Sequence, residues 1–551
     1  LRSPVVVKSS RRILCVFPAY TPAFGTFAHA FPLLYNVGAF MPPQGLLLIA
    51  AYLPDTWQVR FIDENMARAS AADLAWADVV MVSGMHVQAP QIRDIAARAH
   101  AAGKAVVLGG PSVSAAPEMY PDIDYLHIGE IGDATDALIA ALDGDLSRPP
   151  AQRRYETLER LPLEQFPIPA YGAVALGRYL IGSLQFSSGC PYRCEFCDIP
   201  GLYGRQPRLK SAEQLLAELD AILAQPSRPS TIYFVDDNFI GNKKAAREIL
   251  HHLVAWQKRN HYPFNFACEA TLNIARQTEV LALMREAAFV TVFAGIETPE
   301  IEALKNMRKD QNATLPILES IATLNSYGLE VTSGIILGLD TDTGRSADRL
   351  IEFIERSQIP ILTINLLQAL PKTPLWDRLA RDGRLVDNPG LESNVRFLRP
   401  YDQVLADWRR CIAVAYAPER LFARFRHQVD ATYVNRLNPP ARGKLTLANL
   451  RQGIVLAFRV FTRVGLKSKY RREFWQAALY ALKRGQIEAM LSMGFVAHHL
   501  IKFTQEALRG EQNASFYSTT ERRGPATIHR ARETPALALQ PRPAARRVTK
   551  A

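Results

Sequence analysis

Three of the six cysteines in this 551-residue chain fall within eight positions, in Ser187-Ser-Gly-Cys190-Pro-Tyr-Arg-Cys194-Glu-Phe-Cys197. Thiolates are soft donors suited to zinc, copper(I) or iron–sulfur clusters. A C-x3-C-x2-C triplet in one tight loop can ligate three irons of a [4Fe–4S] cubane and leave the fourth iron open. The other reading is a zinc site, but that normally takes a fourth Cys or His from a second pair, and none is evident. Sparse, clustered cysteines also fit a reducing compartment, in which thiols serve metals or catalysis.

Such a loop needs a rigid platform. Between 181 and about 390, apolar runs at Leu184–Ser187, Thr231–Val235, Phe264–Cys268, Val290–Ala294, Val331–Leu337 and Leu362–Leu367 alternate with amphipathic helical stretches. Six βα units predict a partial barrel, with the cysteines after its first strand. Ahead of it, residues 1–145 carry five strand-like runs, at Arg12–Phe17, Val59–Ile62, Val79–Val82, Ala105–Leu108 and Tyr125–Ile128. Helical stretches near Gly45–Leu53, Ala71–Trp76 and Gln91–Ala102 lie between them. Near-continuous apolar strands separated by helices predict a doubly wound, Rossmann-like α/β domain, whose ligands sit at the carboxyl ends of the strands. Residues 146–180, with five prolines, read as a linker. Residues 391–510 read as a helical C-terminal domain, and 511–551 as a basic, disordered tail.

The composition is that of a globular protein, 48% hydrophobic and 21% charged. The net charge of +12 is local. Residues 1–12 contribute +4, 521–551 contribute +6, and 451–472 contribute +7 without one acid. That argues against a broad nucleic-acid face. No apolar run is long enough for a membrane span and no secretory signal is evident, so a cytoplasmic protein is expected. Within 451–472, Ile454, Val455, Phe458, Phe461 and Leu466 recur at roughly helical spacing. This is either a helix lying peripherally on the inner face of an anionic membrane or a stripe of ordinary core.

The cysteine loop resembles that of the radical S-adenosylmethionine (SAM) superfamily, with Phe196 at the aromatic position before the third cysteine. The resemblance implies that Cys190, Cys194 and Cys197 hold a [4Fe–4S] cluster whose open iron chelates SAM, giving a 5′-deoxyadenosyl radical on reduction by an electron-donor protein. Family-like positions follow at later strand ends: Asp236, Glu269, Glu297 and Gly338. With Phe196 they are expected at SAM, since strand-end carboxylates can accept from ribose hydroxyls and glycine admits a close approach.

A Rossmann-like unit directly before such a barrel resembles the cobalamin-binding domain of the B12-dependent radical SAM subfamily. Ser83, His86, Gly109, Gly110, Gly129 and Glu130 are expected at cobalamin. No G-x-G-x-x-G follows the first strand, which disfavours a dinucleotide. The D-x-H-x-x-G motif that supplies a cobalt ligand in other B12 proteins is absent.

Phe17–Phe27, Met41-Pro-Pro-Gln-Gly-Leu, Ser83–Gln88, Gln185–Cys190 and Leu370–Trp376 extend the resemblance to the hopanoid C-2 methylase family. It implies transfer of a methyl group from methylcobalamin to an unactivated sp3 carbon, C-2 of a hopanoid lipid. A B12-dependent radical SAM oxidative cyclase, a methylase of another substrate, and a non-catalytic cobalamin or iron–sulfur carrier or sensor are the competing readings.

Overall fold

The computed structural model describes residues 7–388, 391–438, 447–516, 518 and 537–538. It contains two compact units, one from the described parts of Leu1–Tyr20, Pro42–Leu176 and Thr527–Ala551, the other from Thr21–Met41 and Gly177–Ala526.

In the first unit, six parallel strands are ordered 2-1-3-4-5-6. They are β1 (Arg12–Phe17), β2 (Gln58–Asp63), β3 (Val79–Ser83), β4 (Ala105–Gly109), β5 (Tyr125–Ile128) and β6 (Arg153–Glu156). Helices α1 (Gln44–Tyr52), α2 (Ala71–Trp76), α3 (Ala89–Ala101), α4 (Pro111–Ala115) and α5 (Asp133–Gly144) complete the unit. Leu14, Val16, Val80, Val82, Val106, Leu108 and Leu126 share one buried cluster with Ile92, Ile95 and Ala99 of α3. Burial between helical layers accounts for the near-continuous apolar strands. Local signals set the ends: Ser70 Oγ accepts from Asp73 N–H while Asp73 caps Ser70 N–H, a capping box that starts α2.

The stretch 146–180 is not a linker. Arg153–Glu156 pairs in parallel with β5, and Leu161, Leu163 and Phe166 pack with Leu48 and Ile131. The sequence Arg-Arg-Tyr-Glu lacks an apolar run because it forms a largely exposed edge strand.

In the second unit, β7 (Gly182–Leu184), β10 (Thr231–Phe234), β11 (Asn265–Glu269), β12 (Phe289–Phe293), β13 (Glu330–Leu337) and β14 (Ile361–Leu366) are parallel and neighbours in chain order. This is the expected six-stranded partial barrel. A separate antiparallel pair, β8 (Ser187–Ser188) with β9 (Arg208–Leu209), follows the first strand. The intervening helices are α6 (Ile199–Leu202), α7 (Ala212–Leu223), α8 (Lys243–Arg259), α9 (Thr278–Glu286), α10 (Ile301–Asn306), α11 (Asp310–Ala313), α12 (Ile317–Ser326) and α13 (Ser346–Ser357), with α14 (Pro374–Arg381) after β14. Phe234, Phe239, Phe266 and Phe289 form one buried aromatic cluster on the wall. The alternate positions Tyr233, Glu269, Phe293, Gly334, Ile336, Thr363 and Asn365 stay accessible to water and mark the inner face.

Beyond the barrel come α15 (Tyr401–Ala415), α16 (Pro418–Ala431), α17 (Leu447–Arg459) running into a π-helical stretch at Val460–Leu466, α18 (Arg471–Leu482) and α19 (Ile487–Leu508). Two boundaries differ from expectation. Thr21–Met41, between β1 and α1, belongs to this second unit, not to the domain read as 1–145. The start of the region read as a tail is packed: Leu366 N–H donates to Ala514 O (2.9 Å) and Phe516 N–H to Asn365 Oδ1 (3.0 Å). Leu537–Ala538 pairs antiparallel with β2. Most of the remaining tail lies outside the described residues. Among the described residues, no helix is long and apolar enough to cross a membrane.

Candidate active site

The cysteine loop is fixed by its backbone. Gly189 takes φ +98°, and a Cβ there would lie 3.0 Å from Gly204 O and 3.1 Å from Gln206 O, so no other residue fits without strain. Its N–H donates to Asp237 Oδ2 at 2.6 Å, and Cys190 N–H donates to Gly204 O at 3.2 Å. Asp236, fully buried, accepts from Phe186 N–H and Ser187 Oγ–H, both at 2.8 Å. Two successive acids at the end of β10 therefore hold the chain that enters the loop. Asp236, expected at ribose, has each of its oxygens engaged by the entering chain.

Cys190, Cys194 and Cys197 are free thiols. Burial pushes Cys190 and Cys197 up, and the neighbouring Asp198 adds to the rise at Cys197. Burial thus favours the neutral thiol at these two positions, and a cationic centre is what would deprotonate them. Among the described residues no three His, Cys, Asp or Glu converge on a single-ion site. Three thiols in one loop without a fourth donor suit the cubane with an open iron, not closed tetrahedral zinc.

Two sets of ion pairs back the loop, one partly buried and one buried. Arg378 forks onto Glu195, inside the cysteine motif (Nε–Oε1 2.5 Å, Nη2–Oε2 3.2 Å). It also bonds Asp340 at 2.7 Å, which Arg384 holds at 2.6 Å. Glu195 N–H donates to Met307 O and Leu375 N–H to Glu195 O, both at 2.9 Å, so this residue ties the loop to both flanking layers. Lys309 Nζ lies 2.6 Å from Glu297 Oε1 and 5.5 Å from the centre of the Phe196 ring. Burial alone would lower Lys309, but Glu297 and Cys194 reverse the shift and hold its pKa up. Gly295 makes room for this pair, since a Cβ there would sit 2.4 Å from Glu297 Oε1. Sequence reasoning missed Glu195, Asp237, Lys309 and Arg378. Only the first two adjoin recognised positions; the others act across the fold.

Phe196 packs, partly buried, against Leu367, Leu375 and Leu304. Glu269 is on the inner wall, with Tyr233 O–H donating to it at 3.3 Å. Water reaches the carboxylate, yet protein encloses it. That enclosure, reinforced by Asp237, pushes its pKa up to about 7. Gly338 takes φ +90° with its open side against Phe397, where a Cβ would lie 2.5 Å from Cε1. Its N–H donates to Asp342 at 2.8 Å. That ring and turn require a glycine here.

In the first unit, Ser83 and Gly109 close β3 and β4, and His86, Gly110, Gly129 and Glu130 follow the carboxyl ends of β3, β4 and β5. Gly110 (φ +91°) lies so close to Ser83 that a Cβ would meet its Oγ at 2.3 Å, and a Cβ on Gly129 (φ +101°) would meet Thr157 at 3.1 Å. Glu130 is paired with Arg160 at 3.1 Å, so its carboxylate is engaged. His86 Nδ1 is buried without a hydrogen-bond partner. Burial and Arg93 lower its pKa and keep the ring neutral, the form able to ligate a metal. Glycine-rich strand ends with an unsatisfied imidazole nitrogen fit a flat, metal-centred group.

Family profiles match in the same order: a B12 binding domain over 32–139, the radical SAM superfamily over 184–354 and a domain of unknown function over 373–513. The chain is 58% identical to the hopanoid C-2 methylase of Rhodopseudomonas palustris (strain TIE-1), over 93% of this chain and 97% of that protein. It is 34% identical to an uncharacterized methyltransferase of Synechocystis sp. (strain ATCC 27184 / PCC 6803 / Kazusa), over 92% and 95%. The solved cobalamin-dependent SAM radical enzyme OxsB with aqua-cobalamin bound shares the fold at a TM-score of 0.57 and 15% identity, covering 91% of this chain and 81% of that one. With a [4Fe–4S] cluster, SAM and cobalamin as cofactors, this chain is an enzyme of the B12-dependent radical SAM methyltransferases and belongs to the hopanoid C-2 methylase family.

Proposed function

We propose that the substrate of this enzyme is a hopanoid, methylated at ring carbon C-2, and that the enzyme meets it at a membrane surface. The 58% identity that runs through 97% of the hopanoid C-2 methylase carries the reading. An unactivated sp3 carbon has no lone pair with which to attack a methyl donor. Cluster and SAM together supply a radical that removes hydrogen from such a carbon, and cobalamin supplies the methyl group. The chain's own task is to hold these groups and the substrate in register and keep water away. Cys190, Cys194 and Cys197 would hold the cluster, Glu269 and Phe196 face SAM, and the β3–β5 ends hold the corrin. Phe293 and Ile336 give the lumen the apolar surface a polycyclic hydrocarbon requires.

Ile454, Phe458, Phe461 and Leu466 are 62%, 67%, 48% and 54% exposed, so the stripe is not core. Lys467, Lys469, Arg471 and Arg472, also exposed, adjoin it. Apolar side chains beside unopposed cations suit the headgroup layer of an anionic bilayer.

The test is expression in a host that makes unmethylated hopanoids, fed methionine labelled in its methyl group. Lipid mass spectrometry should show a labelled methylene gain on ring A, absent in the Cys194→Ala variant. Unlabelled but altered lipid would indicate a cyclase or oxidase, and unaltered hopanoids would overturn the substrate assignment.

A further inference from the structure

The six-stranded barrel is open between its edge strands β14 and β7, and the segment Thr21–Met41 reaches both. At one end, a Cβ on Gly25 would lie 3.9 Å from Thr363 Cγ2, on the inner face of β14. At the other, Ala39 bridges in parallel to Tyr179, Leu180 N–H donates to Ala39 O and Ile181 N–H to Phe40 O, both at 3.0 Å, just before β7. The segment therefore spans the gap.

The C-terminal helices hold it there. His499 Nε2 lies 3.2 and 3.1 Å from the carbonyls of Ala23 and Phe24, so it carries the proton and donates, while Nδ1 accepts from His29 N–H at 3.3 Å. His29 pairs with Glu506 at 2.9 Å. Arg459 donates to the carbonyls of Pro32 and Leu34, Arg463 donates to Pro32 O, and Arg451 covers the Tyr35 ring. These arginines join α17 and the π-helical stretch after it, where Ile454, Phe458 and Leu466 are exposed, to the segment lining the barrel gap.

Between its two anchors the segment carries a strained aromatic. Phe27 takes φ +54°, a conformation costly for a bulky residue and retained only where the surroundings impose it. Its ring stacks on Phe40 (centroids 5.6 Å, interplanar 18°) and lies 5.2 Å from His499, and both phenylalanines remain partly accessible.

From this arrangement we infer that Thr21–Met41 is the wall along which the lipid passes from the α17 surface to the barrel lumen, and that Phe27 and Phe40 grip its apolar rings. The inference rests on the lipid-substrate reading and adds its route and its specificity-determining pair. The accessible part of this aromatic pair suits fused saturated rings, which offer area and no polar handle.

Full-length enzyme, reconstituted with cluster and cobalamin, should be irradiated with a diazirine-bearing hopanoid in phosphatidylglycerol–phosphatidylcholine vesicles. Crosslinks should map to 21–41. The variant F27A/F40A should raise KM for hopanoid about tenfold with a smaller change in kcat, the size expected for losing one well-buried aromatic contact. It should keep iron, sulfide and cobalamin contents, and F27Y should recover most of the loss. Crosslinks confined to other segments, or a KM within about twofold of the parent, would overturn the inference. A parent that methylates no hopanoid at all would instead sink the substrate reading beneath it. If the double variant fails to load its cofactors, the crosslink map of the parent decides alone.

Discussion

A carboxylic acid on the inner wall of the barrel shows how function sets residue chemistry. Glu269 is reachable by water but enclosed by protein, which disfavours its ionised form and pushes its pKa up to about 7. In an unfolded chain the group titrates near ~4.3. Above that pH the unfolded chain ionises first, so stability falls as pH rises from about 4.5 and levels off past about 7. Glu269→Gln removes the charge, so the ligand-free variant should melt higher than the parent at pH 8 and about equally at pH 4.5. Equal melting temperatures of parent and variant at pH 8 would show that the enclosure costs nothing. Access to water limits the gain. The same substitution should weaken SAM binding, as expected where a site is held in a costly state. Residue types alone conveyed the cluster, because C-x3-C-x2-C is local chemistry written in order. They did not separate Glu269, facing the lumen, from Asp236, which turns back to hold Phe186 and Ser187. Both are acids at strand ends, and only the fold decides which way each points.

At the scale of elements, periodicity identified what is buried on a regular face and missed what is not. Five strands of the first unit were legible because each is sandwiched between helices; β6 was not, being polar and at the edge. The basic stripe of α17 was legible as an amphipathic pattern, yet its environment was not. Arg451, Arg459 and Arg463 serve the 32–35 stretch, leaving Lys467, Lys469, Arg471 and Arg472 as the cations exposed beside the apolar surface. Each such charge near an anionic bilayer contributes about 1 kcal/mol, so neutralising four should weaken binding by orders of magnitude. Replacing these four by Gln should abolish co-sedimentation with phosphatidylglycerol vesicles at low salt. Ile454→Ser with Phe458→Ser should weaken it even where charge is screened. Vesicle binding unchanged in both variants would return this surface to ordinary solvent.

At the scale of the whole molecule, the order of domains along the chain is not the order of folding units. Three blocks in sequence were legible, and matching profiles cover them in turn. What could not be read was the excursion of Thr21–Met41 out of the first unit and into the second, because nothing in a local pattern marks a contact with residues more than 400 positions away, as in His29 with Glu506. That excursion governs how the protein can be divided. A fragment beginning near residue 150 retains every cysteine of the loop and every barrel strand, but loses the segment that covers the β14–β7 gap. Phe24, almost fully buried, would vanish from its stack on Tyr416 and its edge-on contact with Phe503. His499 would lose both carbonyl acceptors of its Nε2–H, which water would replace in part, on top of about 3–5 kcal/mol for the lost ring. A loss of about 3–5 kcal/mol is a large share of the stability of a typical domain. The fragment 150–526 should therefore show low solubility, early proteolysis and poor reconstitution of iron, whereas the same fragment supplied with a peptide of residues 21–41 should recover protection of α19 from protease. A fragment 150–526 that folds, resists protease and loads its cluster unaided would show that the segment is a lining added to a self-sufficient barrel, not part of its core.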